Sequence, residues 1–152
     1  MVDATFTRFL RRSLDVLEVE APQAYALVGE RLGARVVSIQ VDAECVGIEV
    51  RSSRLVVSRS VPSGTHARAS LGTLRALLDG ERALTEAILA EEILLIGVLE
   101  DLVQFYEALL TYFRGAVRCP SFAPLLERFF AEAGGETTVL APRPKAPRRR
   151  AR

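Results

Sequence analysis

Only one histidine, His66, occurs among the 152 residues, so a histidine-rich metal cluster is impossible. Two cysteines, Cys45 and Cys119, are too few and too far from any ligand spacing to build a disulfide scaffold or a zinc site. They read as reduced structural thiols, because a free cysteine packs as a small hydrophobe. No apolar run reaches the roughly 20 residues that a membrane-spanning helix needs. The longest useful one, Ile93 to Leu99, is stopped by Glu100 and Asp101. The opening Met-Val-Asp-Ala-Thr-Phe shows no basic region followed by an apolar stretch, which predicts no export and a cytoplasmic setting. Glycine-rich phosphate loops, zinc spacings and nucleophile elbows are also missing. The expectation is a protein that is not an enzyme, with no cofactor and no metal.

What is present is enough apolar material for a core. Apolar residues make up 49% of the chain, and a single domain of this size buries roughly 68–70% of its unfolded surface. We expect that domain over residues 1–140, with a disordered basic tail over 141–152. The segment 142–152 holds six of the twenty basic residues and no acid. The rest carries fourteen basic against nineteen acidic residues, a net charge of −5. Between Asp79 and Glu107 eight acids face one base, Arg82.

Periodicity divides the domain. Phe6, Phe9, Leu10, Leu14 and Leu17 fall at helical spacing, with Asp3 or Thr5 placed to cap the helix. A second helix follows Pro22 and ends at Gly33, the residue type that adopts the left-handed C′ conformation cheaply. From Val36 the period becomes two, with a phase slip at Asp42 to Glu44 that demands a turn or bulge. Ser52-Ser53 makes the next tight connection, so three strands read as an antiparallel meander. A fourth strand is expected over His66 to Leu71, and short helices over Thr73 to Leu78 and Leu84 to Ala90. Ile93 to Ile96 reads as a strand buried on both faces. The long helix that follows has a main apolar stripe of Leu99, Leu102, Val103, Tyr106, Leu109, Leu110 and Phe113, widened by Phe105 and Tyr112, and Gly115 is expected to stop it. A last helix runs from Ser121 to Ala133, with Gly134 beyond it.

The segment Ala67-Arg-Ala-Ser-Leu-Gly-Thr-Leu-Arg-Ala-Leu-Leu-Asp-Gly80, followed by Ala87, Ile93 and Gly97, resembles the sterol carrier protein type-two family of lipid-binding domains. The likeness covers about residues 6–115. It implies an α/β fold of the α+β kind, with a five-stranded mixed sheet and helices packed on one side over an apolar cavity. It also implies non-enzymatic carriage of an apolar small molecule, of lipid or fatty acyl type. The chain departs from the family where Ala90-Glu91-Glu92 stands in place of a glycine-lysine pair, and where the helix from Ser121 is added. It ends Arg150-Ala151-Arg152 rather than in a peroxisomal targeting tripeptide.

On that reading the cavity residues are Leu102, Phe105, Tyr106, Leu109, Tyr112, Phe113 and Phe129. Arg143, Lys145, Arg148, Arg149, Arg150 and Arg152 would contact an anionic membrane surface, at about 1 kcal/mol per charge. The acidic body argues against nucleic acid as a partner. A homodimer stays open. The competing reading is a protein-interaction module with a fully packed core and charged contact patches. His66 has no nucleophile beside it in sequence, and adjacent Glu91 and Glu92 point apart, which excludes an opposed carboxylate pair.

Overall fold

The computed structural model describes residues 4–62 and 64–136, the side chains of 134–136 excepted. The basic segment 142–152, and with it the expected tail, lies outside the described residues. In chain order the elements are α1 (Thr5–Glu20), α2 (Pro22–Leu32), β1 (Val37–Val41), β2 (Glu44–Arg51), β3 (Arg54–Arg59), β4 (Thr65–Ala69), α3 (Leu71–Leu78), α4 (Leu84–Leu89), β5 (Ile93–Ile96), α5 (Leu99–Ala116) and α6 (Phe122–Glu136).

The five strands form one mixed sheet in the order β3-β2-β1-β4-β5. The first three make the expected antiparallel meander, turned at Asp42, whose φ is +53°, and at Ser52 and Ser53, with φ of +49° and +64°. Short polar side chains tolerate the left-handed region that two-residue hairpins need. β4 returns parallel to β1, and β5 closes the sheet antiparallel to β4. Because cross-strand partners share a face, the register places Val37, Ile39, Val41, Val46, Ile48 and Val57 on one side, with Ala67, Ala69 and Ile93. The helices cover this side.

Long-range bonds seat α1. Thr5 is its first helical residue and not its cap, and Asp3 lies outside the described residues; the N-cap is Ala4, without a side-chain bond. Instead Glu44, at the start of β2, accepts from the Phe6 and Thr7 backbone N–H groups at 3.0 and 2.6 Å and from the Thr7 hydroxyl at 2.7 Å. A carboxylate there suits both the orphan donors and the positive end of the helix dipole. Arg11 donates to the Val57 carbonyl, and the Leu55 N–H donates to the Tyr25 hydroxyl, so α1 and α2 are tied to the edge strand β3.

α5 differs from expectation in length and in rotation. Gly115 does not stop it, because the helix continues through Ala116. A Cβ at Gly115 would lie 2.7 Å from the Ala24 Cβ and 2.8 Å from Leu17 Cδ1, so the glycine is where α5 presses against α2 and α1. The buried face is Phe105, Ala108, Tyr112, Gly115 and Ala116, whereas Leu99 and Val103 of the expected stripe are exposed. Small residues allow the closest backbone approach, and a hydrophobicity count gives them little weight. α6 likewise continues past Gly134. It lies on α1, with Phe129 stacked on Phe9 at 4.3 Å between ring centroids.

β5 is also corrected. It is an edge strand, and Leu94 and Ile96 on the outer face are 44% and 53% exposed. The uninterrupted apolar run suggested a strand buried on both faces, but only Ile93 is buried and Leu95 partly so.

On the same outer face the chain from β3 to β4 must cross β2 and β1, and Ser60 sits so near Gly47 that a Cβ there would meet it at 3.2 Å. In the middle of that face Ser38 and His66 are buried and joined by a hydrogen bond of 2.8 Å between the Ser38 hydroxyl and His66 Nδ1. Ser38 lies inside a strand, which gives no exposed nucleophile. Burial, with Arg68 contributing, lowers the His66 pKa below its ordinary 6.5. The unfolded chain therefore takes up the proton first, so stability is full above about pH 6.5 and falls as the pH drops through that value toward the folded-state pKa.

Both features can be tested by stability. Gly115→Ala should destabilise by about 1–3 kcal/mol through overpacking, read from urea denaturation, and a loss under about 0.5 kcal/mol would show that α5 is not in close contact there. Thermal melts between pH 7.5 and 5 should show a decline that His66→Gln flattens. An equal decline in both proteins would remove His66 as its source.

Candidate binding cavity

Between the inner face of the sheet and the helices lies a cavity of about 90 Å³. Val37, Ile39 and Ala67 form its floor, Leu10 and Leu14 of α1 one wall, and Phe105, Leu109 and Phe113 of α5 another. Leu74, Leu77 and Leu78 of α3 close it. Its wall is apolar carbon almost throughout. Tyr112 borders it too, but the Tyr112 hydroxyl donates to the Ser13 hydroxyl at 2.7 Å, and Ser13 in turn donates to the Leu10 carbonyl. Burial holds the Tyr112 phenol protonated, far above its ordinary range. Among the described residues the lining offers almost no polar surface to grip a ligand, and a cavity of this chemistry stays free of water.

The expected cavity residues divide. Phe105, Leu109, Tyr112 and Phe113 line the cavity. Leu102, Tyr106 and Phe129 do not. Leu102 lies against Gly97. The Tyr106 hydroxyl bonds Thr85 of α4 at 2.8 Å, and Phe129 stacks on Phe9 in the α1–α6 contact. Phe130, adjacent to Phe129, is half-buried beneath the Arg75 guanidinium, 5.1 Å from its ring centroid. Residues from α1, β1, β4 and α3 were missed. The alternation of β1 and the stripe of α1 marked them as core, and only the fold shows which core residues face a gap.

α3 is the least anchored wall. Ser70 caps it by accepting from the Thr73 N–H at 3.1 Å, and Asp42 accepts from the Leu71 N–H at 3.2 Å. Beyond these bonds it is held by Leu78, buried in the core, and to α6 by Arg75 over Phe130. Leu74 and Leu77 are only half-buried although they border the cavity. Among the described residues no cluster of three or more histidine, cysteine or carboxylate groups could hold a metal, and no helix is long and apolar enough to cross a membrane. Glu91 and Glu92 sit at an exposed turn, Glu92 paired with Arg82 at 2.9 Å. Cys45 and Cys119 are free thiols, each with its pKa raised by burial.

No family model matches the chain, and no curated protein matches its sequence. Solved structures do resemble it. The UbiJ-SCP2 ubiquinone synthesis protein is 17% identical with a TM-score of 0.43, over 66% of this chain and 97% of that one. A conserved hypothetical protein of Thermus thermophilus, described as a candidate sterol carrier protein, is 10% identical with a TM-score of 0.48, over 68% and 82%. Sterol carrier protein 2 like 2 of Aedes aegypti is 16% identical with a TM-score of 0.39, over 64% and 97%. These are similarities of fold alone. A five-stranded mixed sheet with its helices gathered on one side over an apolar cavity is the arrangement that the resemblance to sterol carrier domains implies, and the chain has it.

Proposed function

We propose that the protein binds and carries an apolar small molecule, or the hydrocarbon part of a lipid, between the sheet and α5, without transforming it. The observation that supports this reading is the cavity wall. The lining is carbon almost throughout, so binding would be driven by burial of ligand carbon at roughly 25 cal/mol per Å². With the Tyr112 hydroxyl already committed to Ser13, selectivity would rest on shape.

At about 90 Å³ the cavity is smaller than the roughly 300–1,000 Å³ of a typical ligand pocket. A chain of several methylenes enters only if a wall moves. α3 is that wall on this reading, since its leucines border the space and, apart from buried Leu78, it is secured by two backbone caps and one ring contact. Swinging it outward would lengthen the cavity without disturbing the α1, α2 and α5 packing. The competing reading, an interaction module with a fully packed core, has no use for the gap.

The test is to purify the full chain, extract it with organic solvent and identify what is released, then to measure binding of a fluorescent fatty acyl probe. Ala108→Leu, which fills the cavity from its α5 wall, should weaken probe binding at least about tenfold while the fold persists by circular dichroism. An empty extract together with probe affinity that Ala108→Leu leaves unchanged would refute carriage in this cavity.

A further inference from the structure

The two edges of the sheet are treated differently. At the β3 edge the Leu55 N–H is taken by the Tyr25 hydroxyl and the Val57 carbonyl by Arg11, and the strand begins and ends in arginine. At the β5 edge, among the described residues, no side chain or backbone group bonds the outward N–H and C=O groups of Ile93–Ile96. The strand has no charge, proline or bulge to blunt it. An open edge, even one of four residues, is a template for another strand.

Large apolar residues are exposed along the chain on both sides of β5. Leu89, Leu94, Ile96, Val98, Leu99 and Val103 are all exposed, six of the ten large hydrophobic residues exposed among the described residues, gathered within fifteen positions. Scattered exposed apolar residues are ordinary, whereas clustering marks a contact surface.

We propose that β5 pairs antiparallel with β5 of a second copy of this chain, continuing the sheet across a two-fold axis. Self-pairing fits the residues on the page. An axis through Leu95 sets Leu94 opposite the partner's Ile96, and Ile96 opposite the partner's Leu94, all on the outer face. Ile93–Ile96 carries no charge, so no like charges meet across the ladder. At the centre of the ladder the open Leu95 backbone groups of one copy face those of the other, as an isologous interface requires. A membrane cannot supply those bonds, and sinking an unpaired strand edge into lipid is costly. The basic segment 142–152 matches Glu91, Glu92 and Glu100 in charge, yet Pro142, Pro144 and Pro147 lack the N–H groups that a ladder needs.

Sedimentation equilibrium of the full chain over about two decades of concentration tests this. The wild-type protein should approach twice 16.7 kDa, and Leu94→Lys with Ile96→Lys should sediment as a monomer with an unchanged circular dichroism spectrum, both side chains being exposed. Deletion of residues 142–152 should leave the dimer intact. A wild-type protein that stays monomeric, a dimer that survives the double substitution, or one that needs the deleted segment each overturns the proposal. So does a monomer whose binding to neutral vesicles depends on Leu94 and Ile96, for then lipid is the occupant.

Discussion

The absence of a side chain at Gly115 is the constraint on which the rest of the helical layer depends. With Ala24 and Leu17 already at contact distance from where a Cβ would stand, α5 can approach α1 and α2 only in the rotation that puts Gly115 inward. That rotation carries Phe105, Ala108 and Tyr112 inward with it, and it lets the Tyr112 hydroxyl reach Ser13. It also turns Leu99 and Val103 out to solvent. The cavity wall and the exposed apolar surface near β5 are thus two results of one packing decision.

A second set of bonds fixes the helices against the sheet. Glu44 holds the first turn of α1, while Arg11 and Tyr25 reach the free edge of β3. Buried or partly buried polar groups must find partners, and Arg11 and Tyr25 close the β3 edge as they satisfy themselves. α1, α2 and α5 become a rigid roof over one half of the sheet. The other half is covered by the short helices α3 and α4, whose attachments are fewer.

Most of the element order was legible in the sequence because local rules set it. Alternation marked β1 and β2, Gly33 marked the end of α2, and the resemblance to sterol carrier domains anticipated the single-sided helical layer. What could not be read was set by distant partners. Nothing near Ala4 foretells that Glu44 seats the start of α1. The rotation of α5 follows from Gly115, Ala108 and Ala116, residues that pattern counts treat as neutral, so the stripe of Leu99 and Val103 was misjudged. β5 was misjudged for a related reason: four apolar residues read the same at the centre of a sheet and at its edge. Leu109 and Phe113 of the cavity were anticipated, while Tyr106 and Phe129, equally aromatic and equally apolar in context, are committed to α4 and α1 instead.

The central claim is that the space between sheet and α5 is a binding site rather than a packing defect. Methyl-detected NMR of the full chain during titration with a medium-chain fatty acid tests it most directly. The account predicts that the methyl groups of Ala108, Leu109 and Ile93 shift and saturate together and show contacts to the acyl chain, with those of Leu74 and Leu77 shifting as α3 moves. Shifts confined to exposed methyls such as those of Val19 and Leu89, with the interior unchanged, would contradict it.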